Sequence, residues 1–294
     1  MQKTCCWILM LSCLLSGFFV LAKPLNIYIR DDVYQDYLSF LNGRDVLDLK
    51  DFSGSYMRRD VADMVLLQQA LKLGGFHQSF QYLPGKVNFR NTKMLESGEL
   101  LLSFDTYWLS DANKLSDKVY ISSPIVKRGQ YMAGIYTNPQ NTKVLAIKEL
   151  SDLAELTAVS TPKWHTDWAT LSALPLKELI REDEWLSQAR MVYMQWVDFM
   201  LMPFYPSKDG SFALEQIRLQ LVPGIAVLLD DSRHFVISKQ HPQGKSAYAA
   251  LNKGLALLEQ QGRIEQLYTQ AGFFIDLKKY RILNPSTQSA NKTD

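Results

Sequence analysis

Short apolar segments that alternate with amphipathic segments constrain the fold of this chain more than any other feature of its sequence. The first part of the chain is predicted to run strand, helix, strand, helix, strand at residues 25–30, 57–73, 76–83, 88–97 and 100–104. A strand that returns through a helix lies parallel to its predecessor, and such crossovers are right-handed. The pattern therefore predicts an α/β fold with mostly parallel sheets flanked by helices.

The alternation resumes in the second half of the chain. Strands are predicted within residues 119–137 and at 156–159, 177–180, 197–203, 219–222, 225–229 and 235–239. Helices are predicted at residues 148–155, 162–174, 185–195, 246–260 and 263–270. A chain of this length is expected to form one large domain or two modest ones.

Residues 156–171 combine a buried strand with the start of a helix. Thr161 suits the N-cap, and Pro162 suits the first helical position. A helix N-terminus presents free N–H groups and the positive end of a dipole, which suits an anionic or polar ligand group. Trp164 and His165 are close to this point. The spacing of Trp164, Trp168 and Leu171 fits a buried helical stripe equally well.

Polar and aromatic residues follow two of the predicted strands. Ligands of open α/β sheets bind at the carboxyl ends of the strands. Arg30 follows the first strand, and Asp105, Tyr107 and Trp108 follow the third. Asp105 suits a cationic or hydroxylated ligand group, although a carboxylate that caps a turn fits as well. Arg30 has two aspartates directly after it with which it could pair.

The first 22 residues have the pattern of a secretory signal peptide, with Lys3 before a long uncharged run and a small-residue cleavage site at Ala22. Retention as a membrane anchor is the alternative, because the uncharged run is just long enough to cross a bilayer. All three cysteines of the chain lie in this segment: Cys5, Cys6 and Cys13. The mature protein is therefore expected in the periplasm, without disulfides or thiolate metal sites.

Charge and motif content argue against several functions. The chain has 32 Lys and Arg against 30 Asp and Glu, without a basic run, which argues against nucleic-acid binding. The sequence has no G-x-S-x-G, H-E-x-x-H or phosphate-loop pattern. None of the four histidines has metal-ligand spacing: His77, His165, His234 and His241. No catalytic residue, cofactor or metal is predicted.

Several segments resemble type II periplasmic solute-binding proteins of the amino-acid-binding type. Residues 98–104 followed by 119–137 are similar to the end of the family's first lobe and its first hinge strand. Residues 158–168 resemble the second-lobe helix start that binds the ligand. Residues 196–204 resemble the strand that follows it. Residues 234–273 resemble the returning hinge strand and the closing helices.

Two departures from the family pattern bear on the ligand. Leu115 stands where amino-acid binders of the family carry the arginine that clamps the ligand carboxylate. The usual Gly-Thr-Thr of the second-lobe helix start is replaced by residues 161–166, in which Pro162 lacks an N–H donor. These changes argue against a standard α-amino acid and leave an aromatic, sugar-like, peptide or other polar organic ligand open.

The resemblance implies a two-lobed clamp without catalysis, working as a monomer with a membrane permease or a sensor receptor. The first lobe would comprise residues 23–133 and 236–285 and the second 134–235, with a disordered tail at 286–294. Hinge strands are expected near residues 131–137 and 233–238. The residues expected to bind the ligand are Arg30, Asp105, Tyr107, Trp108, Ser160, Thr161, Trp164, His165, Met202 and Phe204.

Two other functions fit the same sequence. The chain could be an exported enzyme on this fold, such as a dehydratase or a hydrolase, with Asp105 opposite His165 as the acid and base. It could also be an interaction module whose cleft is filled by its own side chains, with Trp108 packed on Trp164.

Overall fold

The structure is a computed structural model that describes residues 24–84, 89–207 and 209–284. The predicted signal peptide and the predicted disordered tail lie outside these ranges. In the part of the chain that is described, no helix has both the length and the apolar composition needed to cross a membrane.

Helices and strands alternate along most of the chain. The helices are α1 (Asp31–Leu41), α2 (Arg59–Gly74), α3 (Phe89–Ser97), α4 (Leu109–Asn113), α5 (Thr142–Leu145), α6 (His165–Ser172), α7 (Trp185–Tyr193), α8 (Gly244–Gln260) and α9 (Arg263–Gln270). The strands are β1 (Leu25–Ile29), β2 (Phe80–Pro84), β3 (Tyr107–Trp108), β4 (Val119–Ile121), β5 (Met132–Thr137), β6 (Thr157–Ser160), β7 (Glu178–Arg181), β8 (Met200–Pro203), β9 (Ser211–Leu214), β10 (Ile217–Leu221), β11 (Ile225–Leu228), β12 (Arg233–His234), β13 (Val236–Ser238) and β14 (Arg281–Ile282).

The first lobe contains the parallel pair β1–β2 and the long helices α2 and α8. These helices approach so closely that a Cβ on Gly74 would lie 1.8 Å from the carbonyl oxygen of Ala250. A Cβ on Gly254 would lie equally near, at 1.8 Å, to that of Ala70. The returning strands β12 and β13 pair antiparallel with β3 and β4, which closes this lobe on itself.

The second lobe contains a six-stranded sheet in the order β14-β11-β5-β10-β9, with β8 also paired to β5. The parallel pair β6–β7 is linked to it by a bridge between Ala158 and Phe199. The larger sheet is mostly antiparallel, unlike the mostly parallel sheet expected from the sequence. The reason is that β9 and β10 form a hairpin, and β5 enters the lobe where β11 leaves it.

The chain passes between the lobes through residues 122–131 and 229–232, where the Leu229 N–H donates to the Tyr131 carbonyl at 3.0 Å. The segment after α9 passes between them as well, because β14 pairs with β11. This pairing places residues 281–282 on the second-lobe sheet, although the sequence assigned 236–285 to the first lobe. With that amendment, the lobe boundaries and the hinge strands remain proposals.

The predicted helices at residues 57–73, 246–260 and 263–270 are confirmed as α2, α8 and α9. The predicted third strand, 100–104, is wrong as a regular strand, because only Leu102 forms a bridge, with Ile237. The predicted helix at 148–155 is reduced to a 3-10 turn at Leu150–Leu153.

Helix α6 begins at His165, later than predicted, and its N-cap is Trp164. The predicted N-cap, Thr161, is engaged elsewhere. Its hydroxyl donates to the Asp183 carboxylate at 2.7 Å and accepts from the Lys163 N–H at 3.2 Å. Thr161 therefore stabilises a turn ahead of the helix instead of capping it.

Candidate functional site

The first-lobe wall of the cleft is a hydrogen-bonded network around Thr106 and Asp63. The Asp63 carboxylate accepts bonds from Arg59 at 2.7 Å, from the Thr106 hydroxyl at 3.1 Å and from the Tyr268 hydroxyl at 2.5 Å. Arg233 donates through Nε to the Thr106 hydroxyl at 3.0 Å and through its terminal nitrogen to the Thr106 carbonyl at 2.5 Å. The Thr106 hydroxyl thus links the first turns of α2, through Asp63, to β12, through Arg233.

Arg59 and Asp60 open helix α2 and form a second ion pair beside this network. Burial lowers the pKa of Arg59, but the neighbouring Asp60 and Asp63 raise it by more, so the guanidinium stays charged. Burial raises the pKa of Asp60, and Arg59 followed by Arg58 outweighs that effect, so the carboxyl stays ionised. These two residues balance each other's charge within the wall.

Arg233 is a cation of the cleft that is held by hydrogen bonds and ring contacts and by no ion pair in the described part of the chain. Its guanidinium lies over the Trp108 ring, 4.6 Å from the centroid, and 6.0 Å from that of Tyr131. Its hydrogen bonds go to Thr106, and within the described ranges no Asp or Glu forms an ion pair with it. Burial lowers its pKa. Asp63 and Asp167 oppose this effect without forming an ion pair with Arg233, so the guanidinium can still receive an anionic ligand group.

Asp105 and Asp167 are carboxylates on opposite walls of the cleft, and, like Arg233, they form no ion pair within the described ranges. Burial, with Asp60 nearby, raises the pKa of Asp105 to about 6. Burial also raises the pKa of Asp167 to about 6, against the opposing effects of Arg233 and of a hydrogen bond from the Trp108 side chain. In the described part of the chain neither forms an ion pair, so each can receive a cationic ligand group.

Two of the predicted ligand-binding residues lie in this cleft, and a third lies at its edge. Asp105 and Trp108 are part of it. Arg30 pairs with Asp32, through Nε at 2.9 Å and a terminal nitrogen at 2.5 Å, as its acidic neighbours suggested. Trp108 packs on Tyr131, with ring centroids 4.7 Å apart, and not on Trp164 as a self-filled cleft would require.

His165 and Trp164 lie at the start of α6. His165 is mostly exposed, and its Nδ1 lies 2.7 Å from a carboxylate oxygen of Asp111 on the first lobe. The carboxylate that His165 contacts is thus Asp111, and not Asp105, which the enzyme hypothesis placed opposite it. Trp164 is half-buried as the N-cap of α6.

The other predicted ligand-binding residues are directed into the protein. Met202 and Phe204 are 2% and 3% exposed in the core of the second lobe, because the strand end that carries them is covered by other apolar side chains. Tyr107 bonds to Thr92 at 3.0 Å. Ser160 is buried, and Thr161 bonds to Asp183, so these predictions are corrected as well.

Sequence reasoning missed Arg59, Asp60, Tyr131, Asp167 and Arg233 as members of the site. The Arg-Arg-Asp run at the start of α2 is the local signal that could have drawn attention to the first two. No group of three or more metal-ligating side chains comes together within the described ranges.

A cavity lies between the lobes, beside the charged cleft, and we call it the outer cavity. Its volume is about 460 Å³. It is lined by Asp32, Gln35, Asp36, residues 55–58, Trp185, residues 205–207 and residues 211–214.

No protein-family model and no curated protein sequence matches this chain. Solved structures do match it. The periplasmic VFT2 domain of BvgS from Bordetella pertussis is 14% identical, with 71% of this chain and 83% of that one covered and a TM-score of 0.55.

Two amino-acid-binding proteins are also similar. The amino acid ABC transporter substrate-binding protein AbpA from Streptococcus pneumoniae, bound to L-arginine, is 15% identical over 84% of this chain and 94% of its own, with a TM-score of 0.52. The ancestral amino acid-binding protein AncCDT-1, a precursor of cyclohexadienyl dehydratase, is 16% identical, with 85% of this chain and 95% of that one covered and a TM-score of 0.51. The chain has the two-lobed fold of type II periplasmic binding proteins.

Proposed function

We propose that this protein is a periplasmic solute-binding protein that captures a small molecule carrying both a cationic and an anionic group. The Arg233 guanidinium is held by Thr106 and by the Trp108 ring. The observation that carries the proposal is that this guanidinium interacts electrostatically with Asp105 and Asp167 while none of the three groups forms an ion pair within the described ranges. A ligand with both signs of charge would supply the missing partner of each.

The energetics of such a cleft favour closure around the ligand. A buried charge without a partner is costly, and the cost is recovered when a counter-charge arrives with good geometry. Asp105 belongs to the first lobe and Asp167 to the second, so one ligand that contacts both binds the closed form better than an open one. This difference in affinity shifts the population toward the closed state.

The fold supports a role in delivery as well as capture. The ligand would pass to a membrane permease, the setting named for the ABC transporter substrate-binding protein AbpA, or be reported to a sensor receptor. The expected signal peptide would place the protein in the periplasm, and we propose that it works as a monomer.

A thermal-shift panel tests the proposal. The probes are L-amino acids and dipeptides as zwitterions, putrescine as a cation, succinate as an anion and glucose as a neutral solute. Ligands that bind only the native state raise its melting temperature. We expect a zwitterion to give the largest shift.

Two variants localise the effect. Arg233→Gln and Asp105→Asn should abolish the shift, whereas Arg181→Gln, whose side chain is 64% exposed, should not. A blank panel, or a shift from glucose that both cleft variants retain, would contradict the proposal.

Catalysis is a second candidate, favoured by the pKa of about 6 that burial gives to both Asp105 and Asp167. Carboxyls that titrate near neutral pH suit general acid and base chemistry. This candidate predicts that the bound solute is converted, which mass spectrometry of the incubated ligand would detect. Asp167→Asn would then stop conversion while binding persists.

A further inference from the structure

We propose that the ligand has two parts, a zwitterionic head in the charged cleft and an aromatic extension in the outer cavity. The inference rests on the proposed function and names the class of ligand more closely. It starts from a difference between the two spaces. The charged cleft holds Arg233, Asp105 and Asp167, which form no ion pair in the described part of the chain, whereas the outer cavity is lined by aromatic rings and paired charges.

Aromatic side chains from both lobes line the outer cavity. Tyr56 comes from the first lobe, and Trp185, Tyr205 and Phe212 come from the second. Phe212 holds the other two rings in place, with centroids 5.7 Å from Trp185 and 4.9 Å from Tyr205. Rings arranged in this way offer edges and faces to a further aromatic group.

The charges beside these rings are already satisfied. Arg58 lies 2.8 Å from Asp32 and 2.8 Å from Asp36, and Arg30 bonds to Asp32 as well. Two arginines thus balance two aspartates, and little net charge remains to attract an ion. The outer cavity therefore suits an uncharged, flat group.

The two spaces are adjacent. The Arg30 guanidinium lies 6.0 Å from the centroid of the Trp185 ring in the outer cavity. Arg58 lines this cavity, and the next residue, Arg59, donates to the Thr106 hydroxyl of the charged cleft at 3.3 Å. The start of α2 therefore joins the two spaces, and one molecule extended along it can occupy both.

The volume of the outer cavity sets the size of the extension. A cavity of about 460 Å³ is within the range that encloses small organic ligands. The head of a free amino acid would occupy the charged cleft and leave this space empty. The structure therefore favours a small zwitterion with an extension of one or two aromatic rings.

Titration calorimetry of the full chain with three matched zwitterions tests the inference. The probes are L-alanine, L-phenylalanine and O-benzyl-L-tyrosine, which share the head and differ in the number of rings. We expect affinity to rise along the series by about tenfold to a hundredfold in total, because each ring removes apolar surface from water.

Variants of the outer cavity should remove this gain alone. Trp185→Ala should lower the affinity for O-benzyl-L-tyrosine by about tenfold and leave L-alanine unchanged. Tyr56→Ala, at a side chain that is 52% exposed and so not needed for folding, should act in the same direction. Trp196→Ala is the matched control, because this tryptophan is 68% exposed on the same lobe and does not line the cavity.

The outcomes separate the inference from the proposed function. Equal affinity for the three probes, or equal losses for all of them in the cavity variants, would overturn the two-part ligand while capture of a zwitterion stands. Failure of all three probes to bind would also overturn it. A blank thermal-shift panel in addition would overturn the proposed function itself.

Discussion

The two walls of the charged cleft are built differently. On the first-lobe wall, Asp63 is 2% exposed and bonds to three side chains from separate parts of the chain. On the second-lobe wall, Asp167 and His165 lie on the first turn of a short helix, and each meets a first-lobe side chain across the cleft. The first wall is held by contacts within its own lobe, whereas the second depends on contacts that cross between the lobes.

Helix packing explains the contrast. The network residues Arg59 and Asp63 lie on α2, which is held against α8 by the backbone contact at Gly74 and Gly254. Helix α6 has eight residues, of which Leu171 is the buried one. A ligand should therefore bind first to the first lobe, with the second lobe adding fewer and more exposed contacts.

The largest effect is expected from Asp63→Ala. Removing this carboxylate breaks a buried ion pair with Arg59, which keeps Asp60, and leaves the buried Tyr268 hydroxyl without its acceptor. The free energy of unfolding should therefore fall by about 3–5 kcal/mol. Urea unfolding of the ligand-free protein measures the loss. Asp117→Ala, at a side chain that is 72% exposed, is the control and should change stability by less than about 0.5 kcal/mol. A loss for Asp63→Ala as small as the control's would show that the first wall is not held by this network.

Gly254→Ala tests the helix contact beneath the first wall. The added methyl group would meet the Ala70 carbonyl oxygen at 1.8 Å, so α2 and α8 must move apart. We expect a loss of about 1–3 kcal/mol in urea unfolding. Lys253→Ala, an exposed position on the same helix, should be nearly neutral. Equal stability of the two variants would mean that the helices separate without cost.

The next largest effect is the dependence of ligand affinity on pH. The pKa of Asp105 and that of Asp167 are both raised to about 6, and a cationic ligand group needs both carboxylates ionised. Affinity for a zwitterion should therefore fall by about tenfold for each carboxylate between pH 7 and pH 5. Calorimetry at several pH values with wild type and Asp167→Asn measures this, and the variant should show half the slope. A flat profile in wild type would contradict a role for these carboxylates.

The same raised pKa values change the stability of the ligand-free protein in the opposite direction, so that stability falls as the pH rises. A carboxyl whose pKa is raised on folding stabilises the native state below its unfolded pKa. That contribution is lost as the pH rises through about 6, the folded pKa of Asp105 and Asp167. The two carboxyls should therefore disfavour the empty protein in the pH range where they favour ligand binding.

The smallest effect is expected for His165→Ala on the second wall. Its contact with Asp111 joins a mostly exposed side chain to a carboxylate that Lys114 also contacts, at 2.8 Å. Such pairs contribute less than about 1 kcal/mol, so affinity should fall by less than about fivefold. Lys163→Ala, an exposed neighbour, is the control for calorimetry. A loss above tenfold would show that the second wall governs binding, which would reverse the comparison.

Local patterns predicted much of the fold and part of the site. The spacing of apolar residues was sufficient for α8 and α9, because a helix that buries one face repeats its apolar residues every three or four positions. Helix α2 was predicted as well, although it is buried on most of its sides. Asp105 and Trp108 were predicted because they follow an apolar segment, although that segment forms a single bridge and not a strand. Met202 and Phe204 follow an apolar strand in the same way, yet they are buried, because position after a strand does not report what covers it.

The sequence by itself determined that the chain has an α/β structure and where the long helices α2, α8 and α9 form. Only the tertiary structure decided which charges meet. Arg233 and Thr106 are 127 positions apart and come together because the chain returns from the second lobe to pair with β3. Hydrophobic periodicity depends on neighbours within a few positions, whereas the balance of charge in a cleft depends on groups that only the folded chain brings together.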